Sequence, residues 1–193
     1  MVVRCKWAEK DALSMSYHDH EWGVSEFDAH RLFELLTLEI FQAGLSWTTI
    51  LKKRTAFRTA FANFDFNVVS KYGSHEFEAL LNNASIIRNR AKIQATIDNA
   101  KAIVRLTNSG MSLVDLTWQP THYHPLNHFR EQAEQLDVSQ FLKPYLAQFK
   151  QHGFKRLGPT TMYSFLQAAG VINDHQINCY RYKQIVNIKI NDC

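Results

Sequence analysis

Apolar residues recur at helical spacing along most of this chain. Ser25 and Asp28 resemble a capping box, and after them Ala29, Leu32, Phe33, Leu36 and Ile40 fall on one face, which predicts a helix. Gly44 breaks that helix, and Ser46 stands where it can cap the next, which carries Ile50, Leu51, Phe57 and Phe61 together with a Lys52-Lys53-Arg54 cluster. A shorter helix is predicted after Ser74, presenting Phe77, Leu80 and Leu81. A long one follows from Asn89 to Thr107, with Ile93, Ile97, Ala100, Ile103 and Val104 inward. Between Gly110 and Pro125 the pattern assigns no element. Helices resume from Ser139 to Gln151, then a tight turn spans Gly153 to Gly158. Pro159 occupies the first position of another helix that ends at Gly170. Period-two alternation, the strand pattern, is convincing only in the tail from Gln184 to Ile190. The fold class is therefore all-α.

Composition narrows the picture a little. The 193 residues fit one domain, predicted to run from residue 1 to 183 with a tail at 184–193 of open role. With 46% apolar and 21% charged residues, the chain is globular rather than disordered. Thirteen Phe and four Trp provide core, and also flat surfaces on which planar ligands stack. A formal charge of +4 suits a nucleic-acid partner without demanding one. No stretch approaches the ~20 apolar residues of a membrane span. Lys6, Glu9, Lys10 and Asp11 leave no room for a signal-peptide apolar region, so a cytoplasmic location without membrane contact is expected. Three cysteines, Cys5, Cys179 and Cys193, are too few and scattered for a disulfide framework.

Two clusters carry possible chemistry. The turn Gly153-Phe154-Lys155-Arg156-Leu157-Gly158, followed by Pro159-Thr160-Thr161, presents a helix N-terminus beside two basic residues. Unpaired N–H groups and the positive dipole end suit a DNA phosphate, and Gly158 is read as allowing close backbone approach and positive φ. An ordinary helical corner with a solvated basic loop has the same sequence. Cys5 and His18 near the start, with His175 and Cys179 near the end, form the second cluster. Thiolate with imidazole favours zinc, and four protein ligands close a tetrahedral shell, making any such ion a structural staple. Nine histidines also make chance pairs easy, so spacing alone leaves the metal open.

Longer blocks carry a family resemblance. They are Arg4-Cys5-Lys6-Trp7, the run from Tyr17 to Val24, the run from Glu39 to Trp47 continuing to Arg54, Ile86 to Ile93, Gly153-Phe154-Lys155 with Gly158 to Thr161, and Asn173-Asp174-His175. In this order they resemble the 3-methyladenine DNA glycosylase I family, a zinc-containing branch of the helix-hairpin-helix glycosylases, from Arg4 to about Tyr182. The resemblance implies one structural Zn²⁺ on Cys5, His18, His175 and Cys179, joining the N- and C-terminal segments, and a DNA-binding hairpin over Gly153 to Thr161 with Lys155, Gly158 and Thr160 as contacts. It implies a base pocket built from Glu39, Tyr17 and Trp47, with Trp7 and Trp22 close by, and Leu45 as a wedge into the gap left by a flipped base. Ser25 stands where the family commonly has proline, and Ser85 where glycine is usual.

The activity implied is monofunctional hydrolysis of the N-glycosidic bond of 3-methyladenine in double-stranded DNA, by a monomer, with the free base as product. Glu39 would take the catalytic part. The carboxylate that helix-hairpin-helix relatives place just after the hairpin helix has no clear counterpart, because Asp174 lies in the metal-motif run. No lysine stands out as a Schiff-base nucleophile. A zinc-stapled module that binds damaged DNA without cutting it is the rival reading, and free-base release separates the two.

Overall fold

A computed structural model describes residues 2–128 and 137–186. A short 3₁₀ turn, Lys6–Lys10, leads into α1 (Ala12–His20), capped by Asp11, whose side chain accepts from the Ser14 N–H at 2.9 Å. Helix α2 (Ala29–Gln42) is capped by Asp28, and α3 (Trp47–Ala60) by Ser46 as its position predicts. Ser25 caps nothing. It lies four residues before α2 begins, too early for its oxygen to reach the first-turn N–H groups, which the residue immediately before the helix serves.

Helix α2 is buried on every side from Leu32 to Phe41, not along a single stripe. Its second apolar row, Leu35, Leu38 and Phe41, packs as deeply as the first because α3, α6, α7 and α9 surround it. Of the next helices, α6 (Arg90–Asn108) and α7 (Leu113–Trp118) pack on this axis, while α4 (Phe66–Val69) and α5 (Ser74–Asn82) pack on α6. Helix α7 fills part of the stretch that the pattern left unassigned, closed by a Ser112–Asp115 capping box. Its Trp118 is fully buried and stacks on Phe27 at 4.6 Å.

Helix α8 (Val138–Gln151) and helix α9 (Pro159–Ala168) flank the basic turn, and α10 (Tyr180–Val186) closes the described chain. Thus Gln184, Ile185 and Val186 are helical despite their alternation, which is too short to outweigh packing of Tyr182 and Ile185. Positions 187–190 lie outside the described residues. Two parallel two-residue strands, β1 (Leu126–Asn127) and β2 (Ile172–Asn173), pair in register, a contact too brief to leave a periodic signature. Gly170 ends α9 with φ +77, and a side chain there would sit 2.4 Å from the Val24 carbonyl carbon. Only glycine lets the loop before α2 press this closely on the end of α9. No helix among the described residues is long and apolar enough to cross a membrane.

Candidate active site and metal centre

A cavity of about 570 Å³ opens between the start of the chain, the ends of α2 and α3, and the segment after α9. Tyr17, Glu39, Trp47, Trp7, Trp22 and Leu45 all line it. A latch brings their elements together. Asp11, having capped α1, also accepts from the Thr48 hydroxyl at 2.6 Å in the first turn of α3. The two helix starts are thereby tied, and the rings of Tyr17 and Trp47 meet at 5.0 Å with a 53° tilt. Trp7 packs edge-on to Trp22 at 5.0 Å, and Trp22 packs edge-on to the His175 ring at 4.5 Å.

The polar groups here are poorly satisfied from within the chain. The Tyr17 hydroxyl and Trp47 indole nitrogen are buried with no hydrogen-bond partner, a costly arrangement unless another molecule supplies one. Glu39 is 6% exposed, and burial pushes its carboxyl up to about 8. Burial first, then the Glu39 charge, raises Tyr17 well above the ordinary phenol range, so it remains a neutral donor. Beneath Tyr17 lies a charged network that the sequence did not announce. Buried Glu34 accepts from Arg54 Nε at 2.8 Å, from Arg58 Nε at 2.7 Å and from Arg31, while Arg54 Nη1 also reaches Glu21 at 2.9 Å. The Arg54 guanidinium carbon lies 6.0 Å from the Tyr17 ring centroid.

The cavity holds further residues that motif reading passed over. Asp174, set aside as part of the metal run, borders it at 4% exposure. Its carboxylate accepts from Tyr163 Oη at 2.9 Å and from Gln167, and faces His128 Nδ1 at 3.1 Å. Lys6 and Lys10 border the cavity from exposed positions, so two lysines are near after all. Spacing gave no hint of either, since both sit in a charged stretch that reads as solvated surface.

Cys5, His18, His175 and Cys179 converge, with their ligand atoms all within 4.8 Å of one another and every residue buried. Cys5 Sγ lies 3.6 Å from His175 Nδ1, and Cys179 Sγ lies 3.4 Å from His18 Nε2 and 3.6 Å from His175 Nδ1. The opposite ring nitrogens are held from outside, His18 Nδ1 by Asp19 at 2.9 Å and His175 Nε2 by the Trp22 carbonyl at 3.1 Å. Each histidine thus turns an acceptor nitrogen inward, the arrangement a metal ion requires. Asp19 is fixed in turn by Arg4, whose Nη2 donates to it at 2.8 Å, and this hydrogen bond is the main reason its carboxyl is held well below the usual range. Gly23, at φ +79, lets the chain pass His175. A Cβ there would meet Nε2 at 3.0 Å. The termini are laced together around this cluster by Tyr180 N–H to the Val3 carbonyl at 3.0 Å and Lys6 N–H to Gln176 Oε1 at 3.1 Å. Cys5, Trp22 and His175 belong both to the cluster or its packing and to the cavity wall.

At the corner between α8 and α9, the basic turn is pinned by Asn99 of α6. Its Oδ1 accepts from Lys155 N–H at 2.7 Å, and its Nδ2 donates to the Lys155 carbonyl at 3.3 Å. Gly158 does not take positive φ as expected. It stands at −78°, and the left-handed conformations fall on Gly153 and Arg156. Its lack of a side chain still matters, because the space in front of it is open and α9 begins there with no side-chain cap. Lys155, Gly158 and Thr160 are exposed on this corner and are not among the residues that line the cavity, although Thr160 lies one helical turn from Ser164, which does. Ser85 causes no backbone strain at its position. It caps back onto Asn83 Oδ1 and does not adopt positive φ.

A helical scaffold thus holds a slot lined by aromatic rings, with a buried carboxyl at its edge and a Cys/His cluster in its wall, a shape that suits a flat molecule. The chain belongs to the methyladenine glycosylase family, whose pattern it matches over residues 7–182. It is 41% identical to DNA-3-methyladenine glycosylase 1 of Escherichia coli (strain K12), over 94% of this chain and 97% of that protein. A crystal structure of 3-methyladenine DNA glycosylase I superposes with a TM-score of 0.86 at 40% identity, covering 92% of this chain and 98% of the other. A tyrosine-to-phenylalanine variant of 3-methyladenine DNA glycosylase I in complex with 3-methyladenine superposes with a TM-score of 0.84 at 32% identity, covering 92% and 96%.

Proposed function

We propose that this protein is a DNA-3-methyladenine glycosylase that flips an alkylated purine out of duplex DNA and hydrolyses its bond to the sugar. The observation that carries this reading is the meeting of Tyr17, Glu39 and Trp47 in one cavity. Methylation at N3 makes the adenine cationic and a good leaving group, so recognition matters more than activation of the base. Trp47 offers a π-face to the electron-poor ring, with stacking of about 1–3 kcal/mol. Glu39 sits where it can accept hydrogen bonds from the exocyclic amine and ring edge, and the Tyr17 hydroxyl supplies a further polar contact.

The raised Glu39 carboxyl adds a basis for selectivity. Burial keeps it protonated in the empty cavity, and a cationic purine favours its ionised form, with the proton passing to solvent. Neutral adenine gives no such compensation and leaves a buried charge or a mismatched donor. Asp174 is already engaged by His128, Tyr163 and Gln167, which suits an anchor of the wall rather than a proton acceptor. Catalysis is therefore positional and electrostatic, without a strand-cleaving lyase step.

Leu45, 41% exposed on the turn beside the cavity, is placed to fill the gap that the base leaves. We read α8, the basic turn and α9 as the helix-hairpin-helix that grips a DNA phosphate through Lys155, the backbone at Gly158 and Thr160. The metal is zinc on this reading. A tetrahedral ion about 2.3 Å from sulfur and 2.0–2.1 Å from nitrogen would need ligand–ligand edges of about 3.3–3.8 Å; three cysteine–histidine separations, 3.4 to 3.6 Å, fall in that range, and the whole set, within 4.8 Å, would draw in slightly around the ion. With four protein donors it has no open position for water, so its part is to hold the cavity wall.

The test is release of free bases from methylated duplex DNA, each product identified. The protein should release 3-methyladenine and leave the abasic strand uncut, while Glu39→Ala releases far less. A damage-binding module would retain the DNA and release nothing, which would overturn the enzymatic reading.

A further inference from the structure

Lys92 is 5% exposed and belongs to no part of the cavity. It stands in the first turn of α6, where a cation opposes the helix dipole. Its side chain serves another helix. The ammonium donates to the carbonyls of Phe41 at 2.9 Å and Ala43 at 2.6 Å, at the C-terminus of α2, where the dipole favours positive charge and carbonyls lack helical partners. The Leu45 N–H donates to the Gln42 carbonyl at 2.7 Å, so the turn bearing Leu45 is closed from both sides.

Asn99 lies seven residues further along α6, two turns on and on the same side. It is fully buried, and its side chain makes the paired contact with the Lys155 backbone. Two side chains about 10 Å apart along one rigid helix therefore hold two separate exposed loops. The burial of Lys92 and the nearby charge of Arg156 both disfavour its ammonium, yet the clamp is kept.

We propose that Lys92, with Asn99, is a positioning residue that sets the Leu45 turn in register with the basic hairpin, so that insertion at the lesion and the phosphate grip fall at matching places along the strand. This rests on the reading of Leu45 as the inserted residue and of the hairpin as the phosphate site. Ala43 to Ser46 are exposed, so water can reach the Ala43 carbonyl when the ammonium is removed, while the buried Phe41 carbonyl loses its partner and the turn loosens.

The experiment compares Lys92→Met with the unaltered protein in two assays: excision of 3-methyladenine from duplex DNA, and binding of free 3-methyladenine followed by tryptophan fluorescence. The expected result is a fall of about 10- to 100-fold in kcat/KM on duplex, with free-base binding unchanged. Adding Leu45→Ala to Lys92→Met should cost much less than Leu45→Ala alone, because both act on the same insertion step. Lys92→Gln, which keeps a donor, should give a smaller loss with the same pattern and carries the test if Lys92→Met does not fold. Full duplex activity in both variants, or equal loss of duplex excision and free-base binding, overturns the proposal. If Leu45→Ala alone leaves duplex excision intact, the insertion reading itself fails, a distinct outcome.

Discussion

Replacing Glu39 by glutamine tests the electrostatic heart of the cavity without DNA. The carboxyl is lifted from a usual 4.5 to about 8 by burial, so between these values the folded protein keeps a proton that the unfolded chain has released. The folded state binds more protons there, and its stability must fall as pH rises. That contribution is fully present below about pH 4.5 and is lost as pH climbs through about 8. Integrated from pH 6 to pH 9, the loss is about 3 kcal/mol. Glutamine has nearly the same shape and no proton to lose, so Glu39→Gln should gain on the unaltered protein by that amount across this interval. In thermal unfolding this is a difference of roughly 6–12 °C for a chain of this size. Paired denaturant titrations at pH 6, 7, 8 and 9, on metal-replete protein, measure it directly, since every other titrating group is common to both. Parallel stability profiles would mean that the carboxyl is solvated or paired, and the account of a buried acid waiting for a cation would fail.

Trp47→Ala should weaken binding of free 3-methyladenine by about 5- to 150-fold, as loss of one stacking face implies, measurable by isothermal titration. Lys155→Ala should lower the slope of log affinity against log salt by about 1 on duplex DNA, while free-base binding stays the same. Cys179→Ser, or a strong chelator, should release one metal ion per chain and reduce stability by several kcal/mol; free-base binding should fall with it, because His175 and Cys5 also line the cavity. Asp11→Ala should cost about 1 kcal/mol through the lost α1 cap, and more than that in base affinity, since the same carboxylate ties α1 to α3. A stability loss with unaltered affinity would disprove the latch.

Local signals were readable from the chain, and long-range closures were not. Ser46 announces the start of α3 because a cap and a helix break are decided within four residues. The blocks holding Tyr17, Glu39 and Trp47 identified the residues that share the cavity. What joins them, the Asp11–Thr48 contact across 37 positions, has no periodic or compositional trace. Asp174 shows a related limit of reading by spacing. Its neighbour His175 turns Nδ1 to the metal cluster, while the Asp174 carboxylate turns to Tyr163 and Gln167 of α9, and both residues border the cavity. Gly158 shows the converse error, where the residue type was right for the turn but the left-handed bend fell two residues earlier, on Arg156.

The shared wall also governs when the molecule becomes competent. The slot draws on residues 5–48 from one part of the chain and 164–177 from another. A ribosome-bound intermediate lacking the later part would expose an open aromatic trough, unable to enclose a purine or assemble the Cys/His cluster. Competence therefore waits for residues 164–177 to dock against the first part of the chain.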